Sequence, residues 1–382
     1  MQLPQNKPPG FTKPIYVTRP MLPEMDLYVE SLREVWQSQH LTNEGPKHVA
    51  LERALKAFLG TSNLSLFNNG TLALVVACQA LRLSGEVITT PFTFAATPHI
   101  LSWNNITPVF ADIDPVTMNI DPKRIENLIT NRTTAILAVH VYGMPCDVEA
   151  IQAIADRHGL KVIYDGAHAF GTRLGGRPIT QFGDATALSF HATKLFHTAE
   201  GGALIVQDAE IKTRVDLLKN FGIADDETVF LPGINGKMNE LQAALGLLTL
   251  QMVDGEIARR KELSAIYYER LQNIRGLRLR VKPSDVELSQ QYFPILIEPD
   301  EAGKTRDQVL AIVREFNVFP RKYFAPLCSE YSCYRLLPSS NPAYLPVAHR
   351  VAAQIMCLPF YGGLTNEDVY KICDILAFAL RH

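Results

Sequence analysis

Residues 162–204, VIYDGAHAFGTRLGGRPITQFGDATALSFHATKLFHTAEGGAL, hold the pattern on which the fold of this chain turns. Two β-rich apolar runs, 160–164 and 185–190, each hand on one polar group: Asp165 directly after the first, Lys194 shortly after the second. A carboxylate at the end of an apolar strand needs a partner, commonly a cation or a helix start. The alternative partner is a protonated ring nitrogen, which the acid would keep cationic and electron-withdrawing. Lys194 supplies the complementary group, because partial desolvation lowers a lysine pKa and frees a nucleophilic amine near neutral pH. Small residues flank both positions and let a flat ligand approach the backbone. Glu200-Gly201-Gly202 then folds the chain back towards another strand and holds Lys194 in a constrained loop. This is the layout that a lysine-bound carbonyl cofactor requires.

Outward from this stretch, apolar runs at 64–67, 86–90, 108–111, 135–141 and 203–206 alternate with helical patterns at 71–83, 93–103, 122–128 and 148–158. The alternation predicts an α/β fold with a mostly parallel seven-stranded sheet covered on both faces. Ligands of such sheets gather beyond the carboxyl ends of the strands. Upstream, 22–36 and 46–59 read as helices behind a proline-rich arm, MQLPQNKPPGFTKPIYVTRP, which is expected to lie across something else, such as a neighbouring subunit. Downstream, helical spacing runs from 239 to 274; strands follow at 277–281 and 291–297 and helices at 305–316, 344–355 and 366–379. A chain of 382 residues exceeds one ordinary core. The division is expected near residue 250, into a large domain (1–250, with the arm) and a smaller α+β domain (251–382).

Composition removes several classes. With 37 Lys and Arg against 39 Asp and Glu, the chain has no basic stripe for nucleic acid, and the run from Arg275 to Arg280 reads as solvated surface. No apolar run approaches the ~18 residues of a membrane span. The six cysteines fall without a CxxC pair or a metal-ligand spacing, as reduced thiols of a cytoplasmic protein would. No metal is expected.

Other chemistry-bearing residues lie at strand ends. Asn68-Asn69-Gly70-Thr71 opens a helix after a strand, where backbone N–H groups and a hydroxyl make an anion site; an N-cap without ligand has the same composition. Phe92 and Phe94 end the next strand, either as core or as a surface for a flat ring. His168, one turn past Asp165, orients a ligand or is a satisfied structural histidine. Ser189 and His191 place a hydroxyl and an imidazole beside Lys194.

DGAHAFG followed by SFHATKLFHTAEGGAL resembles the DegT/DnrJ/EryC1/StrS group of nucleotide-sugar aminotransferases, enzymes with pyridoxal 5'-phosphate (PLP) and the aspartate-aminotransferase fold, fold type I. LTNEGPKHVALERALKAFLG, NNGTLAL, EVITTPFTFAAT, GINGKMNELQAALG, RKYFAPL and CLPFYGGLTNEDV extend the likeness over essentially the whole chain. The resemblance implies that Lys194 bears the cofactor and that Asp165 pairs with its pyridine nitrogen. It places Thr71, Ser189 and the Gly70 backbone at the phosphate, Phe94 against the ring, and His168 near the ring oxygen. Asn235 matches an asparagine reaching the phosphate from the other subunit, which implies a homodimer with shared sites. His191, Lys237 and Tyr323 match positions that meet the sugar. Lys237 departs from the arginine of many members, keeping the charge but losing the planar fork.

The implied reaction moves an amino group from L-glutamate to a nucleotide-linked keto sugar in amino-sugar biosynthesis. The HAxK and AEGG wording is similar to that of members acting at C4, so a dTDP-4-keto-6-deoxyhexose is the expected acceptor. Relatives with histidine in place of the lysine catalyse dehydration; Lys194 favours transamination. A UDP- or GDP-linked sugar, a C3 sugar, a keto-inositol, a PLP-dependent sugar dehydratase of the same fold and a non-catalytic PLP-binding regulator are the other readings.

Overall fold

The computed structural model describes residues 7–281 and 283–381; the first six residues of the arm lie outside them. Strands β1 (Leu64–Phe67), β2 (Glu86–Thr89), β3 (Thr107–Phe110), β4 (Thr133–Val139), β5 (Lys161–Asp165), β6 (Ala185–Ser189) and β7 (Gly202–Val206) form one sheet. Their order is β1-β7-β6-β5-β4-β2-β3. Only the two pairings made by β7 are antiparallel. The expected seven-stranded, mostly parallel α/β sheet is therefore present.

The helices, numbered in chain order, include α1 (Met25–Ser38), α4 (Ala96–Trp103) and α6 (Ala209–Leu218). Cover of the sheet by helices on both faces explains why the central strands are continuously apolar. On β5, Ile163 packs into the cluster beneath helix α3 (Gly70–Ala80), while Val162 and Tyr164 point to the opposite cluster with α5 (Val148–His158). A third layer has α2 (Pro46–Leu59) and α7 (Glu240–Leu271) meeting Phe190 and Phe196. Helix α7 opens on a capping box, Asn239 with Gln242, and runs for 32 residues. Its Ala243 and Val253 belong to the core around Leu51 and Leu55, whereas Leu263, Tyr267 and Leu271 belong to a second core. That second core covers an antiparallel sheet of β8 (Leu277–Leu279), β9 (Phe293–Ile297) and β10 (Ile355–Leu358), packed with the helices Arg306–Glu315 and Asn366–Arg381. Among the described residues, no helix is long and apolar enough to cross a membrane.

Several expectations change. The stretch 122–128 is two short 3-10 turns, Pro122–Arg124 and Glu126–Leu128, because Ile125 alone is buried there and little packing holds a full helix. Helix Ala209–Leu218 carried too few apolar positions to be seen; only Val215 and Leu218 are buried. The helix expected through 355 stops at Gln354, and Ile355 begins β10. Nor is the basic run all solvated: Arg280 is buried and donates to the Tyr142 carbonyl.

Candidate functional site

The carboxyl ends of the parallel strands gather the polar residues. Asp165 is the last residue of β5 and pairs in register with Val139 and Ala187 of the flanking strands. Its carboxylate is buried and held from two directions. Thr97 Oγ1 donates to Oδ2 at 2.8 Å, and the Ala167 N–H donates to Oδ1 at 3.0 Å. Because the Thr97 hydroxyl is spent on Asp165, Thr93 must donate to Thr97, at 2.8 Å. Hydrogen bonds to a charged group contribute about 1.5–3 kcal/mol each, enough to hold one rotamer.

Lys194 sits in the loop between β6 and β7, where its N–H donates to the His191 carbonyl at 2.8 Å. The flanking Phe190, Leu195 and Phe196 are core residues and fix the loop. Its side chain is half-buried, and its amine makes no hydrogen bond or ion pair with the described residues. Burial lowers the amine's pKa to about 8, with the negative charge of Asp165 acting in the opposite direction. About a tenth of the amine is therefore free base at about pH 7, several hundredfold more than for an ordinary lysine, as a nucleophile or proton acceptor requires.

His168 is buried, and its Nδ1 accepts the Tyr142 N–H at 3.2 Å. That contact assigns the proton to Nε2 in the neutral ring. Burial, reinforced by the Lys194 charge, holds the ring's pKa well below its ordinary value, so it stays neutral. The ring lies parallel to Phe324 at 5.9 Å and edge-on to Tyr292 at 5.1 Å.

At the end of β1, Asn69 caps α3 by accepting the Leu72 N–H. Here glycine is a steric requirement: a Cβ on Gly70 would lie 2.9 Å from Ser189 Cβ, and one on Gly202 would lie 2.6 Å from the Gly70 nitrogen. The Gly70/Gly202 pair thus brings the α3 N-terminus, with Thr71 exposed on it, against Ser189 at the end of β6. Free helix N–H groups and two hydroxyls make this an anion cradle.

The two aromatics after β2 separate. Phe92 is 0% exposed and belongs to the core, whereas Phe94 is 63% exposed, and its carbonyl accepts the N–H of Thr97, the residue that holds Asp165. An apolar ring in the open, on the turn that leads to Thr97, offers a platform for a flat ligand.

The remaining positions lie around these. Asn235 is exposed and follows the Gly222–Gly233 loop; its neighbour Gly236 accepts the Asn68 N–H at 2.9 Å, so this segment runs beside its own chain's α3 entry. Lys237 turns to its own loop, donating to Asn220 Oδ1 and lying over the Phe221 ring at 5.1 Å. His191 is exposed and bonded to Thr193 Oγ1 at 2.8 Å. Tyr323 accepts the Tyr142 hydroxyl at its carbonyl and packs against Tyr292. Sequence reasoning missed Thr97, which lies inside an expected helix and gains meaning only through its bond to Asp165.

The profile of the DegT/DnrJ/EryC1/StrS aminotransferase family matches residues 25–377. The chain belongs to this family. It is 47% identical, over 95% of its length and 98% of the other's, to dTDP-4-amino-4,6-dideoxy-D-glucose transaminase of Escherichia coli. Its identity to the Shigella dysenteriae protein of the same name is 45% over the same shares. Among solved structures, DesI, crystallised in the presence of its TDP-sugar product, superposes with a TM-score of 0.93 at 36% identity, covering 98% of this chain and 94% of DesI. The chain is a sugar transaminase, and the seven-stranded fold is that of PLP-dependent aminotransferases. In this aminotransferase the Lys194 amine, without a bonding partner among the described residues, and the bonded Asp165 carboxylate are the chemically distinctive pair beyond the strand ends.

Proposed function

We propose that this transaminase uses PLP to move the amino group of L-glutamate to C4 of dTDP-4-keto-6-deoxyglucose. The observation that carries the sugar assignment is the 47% identity, over nearly both full lengths, to a transaminase named for dTDP-4-amino-4,6-dideoxy-D-glucose. The cofactor assignment rests on fit. The close approach that only glycine permits at Gly70, beside Thr71 and Ser189, suits a phosphate. The exposed Phe94 ring suits the face of a pyridine, the fixed carboxylate of Asp165 a protonated ring nitrogen, and Lys194 an aldehyde.

When bound, PLP supplies an electron sink for the carbanion formed at the amino-bearing carbon. Asp165 holds the pyridinium proton in place through its own Thr97 and Ala167 bonds. Lys194 Nζ would take the proton from the glutamate α-carbon and later deliver one to C4 of the sugar. His168, neutral with Nε2–H free of described partners, offers a donor to the ring oxygen. His191 and Tyr323 border the sugar; the Lys237 amine, held by Asn220, contributes positive charge there.

The division into a cofactor-binding part, 1–250, and a smaller part, 251–382, belongs to the same reading, supported by the two cores that α7 enters. So does a homodimer in which Asn235 serves the neighbouring site. Exposed Met25, Trp36, Val229 and Phe230 support an interface; a fully active monomer in sedimentation would remove it.

The test is product analysis after incubation with PLP, glutamate and dTDP-, UDP- and GDP-linked 4-keto-6-deoxy sugars, with 3-keto sugars alongside. The dTDP-linked 4-amino sugar and 2-oxoglutarate are expected; conversion of 3-keto sugars alone would overturn the C4 assignment. Borohydride reduction followed by peptide mass analysis should fix the cofactor on Lys194, and an unmodified Lys194 would sink the cofactor role.

A further inference from the structure

The backbone on both sides of Lys194 is gripped by one side chain from the far half of the chain. Gln291, 2% exposed, accepts the Leu195 N–H at Oε1 (2.6 Å) and donates from Nε2 to the Thr193 carbonyl (2.9 Å). One partner is an N–H and the other a C=O, so the orientation of the carboxamide is fixed. Two residues earlier, buried Ser289 donates from Oγ to the His168 carbonyl at 2.6 Å and from its N–H to Thr172 Oγ1 at 3.1 Å. A single short segment therefore ties the turn after Asp165 to the turn that carries Lys194. Gly143, at φ 80°, makes room for it: a Cβ there would lie 2.4 Å from Ser289 Oγ. The segment is itself anchored. Buried Arg260 of α7 donates to the carbonyls of Gln290 and Gln291 at 3.2 and 3.4 Å, and pairs with Glu256 at 2.7 Å. Glu256 also accepts the Gly362 N–H at 2.8 Å.

We propose that Gln291 is a positioning residue for the transamination, bracing the Lys194 loop at a set distance from Asp165 with Ser289 and Arg260 as its supports. The proposal rests on Lys194 being the reactive amine. A glutamine filling a buried gap would need only one satisfied bond at each end, anywhere; here both bonds close on the two peptide groups that flank one lysine. A proton-transferring amine displaced by about 1 Å loses on the order of a hundredfold in rate. Losing the Gln291 bonds frees Lys194 by such an amount without touching the sugar.

The test compares Gln291→Met, which keeps length and removes both bonds, with Gln291→Glu. In the Met variant, hydrogen exchange at the Leu195 amide should accelerate while the amides of β5 stay protected. The pH midpoint of Lys194 acylation in the cofactor-free protein should move, and kcat should fall by about a hundredfold with KM for the keto sugar nearly unchanged. In Gln291→Glu a protonated carboxyl can make both bonds, whereas a carboxylate repels the Thr193 carbonyl, so kcat should fall with rising pH more steeply than in the parent. A folded Met variant with unchanged Leu195 exchange and Lys194 midpoint would overturn the brace, as would a Glu variant that keeps the parental pH profile. If borohydride leaves Lys194 unmodified in the parent protein, the functional reading falls and the proposal falls with it; a modified Lys194 beside an unmoved Leu195 overturns the brace alone.

Discussion

Replacing Lys194 by methionine in the cofactor-free protein should stabilise the fold. Burial takes this amine from 10.5 to about 8, against the opposing pull of Asp165. Between those values the unfolded chain binds a proton that the folded lysine has released, so stability rises with pH across this window. Below about 8 both states are protonated, and the folded state bears the whole cost of a poorly solvated ammonium. A fall from 10.5 to about 8 corresponds to about 3.4 kcal/mol. Lys194 is only half-buried, and solvent screening brings the expected effect to about 1–2 kcal/mol. Methionine fills similar space without the charge. Lys194→Met should therefore gain about 1–2 kcal/mol at about pH 7, and the gain should vanish above about pH 11, where the lysine is neutral in both the folded and the unfolded chain. Urea titrations of the two apo-proteins at these pH values read the gain as a shift in midpoint at constant slope. A less stable variant, or a gain that does not change with pH, would refute the claim that burial sets the amine's pKa. On the proposed role of Lys194, stability is given up where an amine without a bonding partner among the described residues is kept.

Two further substitutions separate the cradle from the acid. Gly70→Ala puts a methyl 2.9 Å from Ser189 Cβ, so α3 must retreat; the overpacking should cost about 1–3 kcal/mol, and PLP affinity measured by absorbance titration should fall about tenfold or more. Unchanged stability and affinity would mean that the α3 entry does not hold the phosphate. Asp165→Asn keeps one acceptor, for the Ala167 N–H, and turns the other oxygen into an NH2 that Thr97 can accept only by reversing its bond to Thr93, so folding should lose about 1 kcal/mol while kcat falls by about a hundredfold or more; the Lys194 midpoint should drop below about 8, because Asp165 is what raises it. Undiminished transamination would take the acid out of the mechanism.

What was legible in the sequence follows from the range of the physical signals. Strand periodicity is local, and β1 is found at its expected bounds. Strand ends could be read because a polar residue after an apolar run is a local contrast, as at Asp165. The signal weakens where local composition is shared by two environments. Phe92 and Phe94 stand in the same short stretch, yet one is core and the other exposed, because a turn that begins after β2 faces them in different directions.

The signal is lost where a function is completed by distant chain. SQQYF, around Gln291, reads as no more than the polar start of the strand expected at 291–297; its meaning comes from Thr193 and Leu195, which only the packed tertiary structure brings to it. Lys237 illustrates the converse. The family resemblance leads one to expect arginine where the sequence has Lys237, and charge alone suggests a substrate contact. In the structure its amine meets Asn220 and the Phe221 ring, near the opposite end of the loop that precedes it. A single-point cation can close that loop with one hydrogen bond and one ring face, whereas a guanidinium would present a planar fork needing paired acceptors. A lysine at this position therefore shapes the loop that leads to Asn235, tying Asn220 and Phe221 to the segment after it.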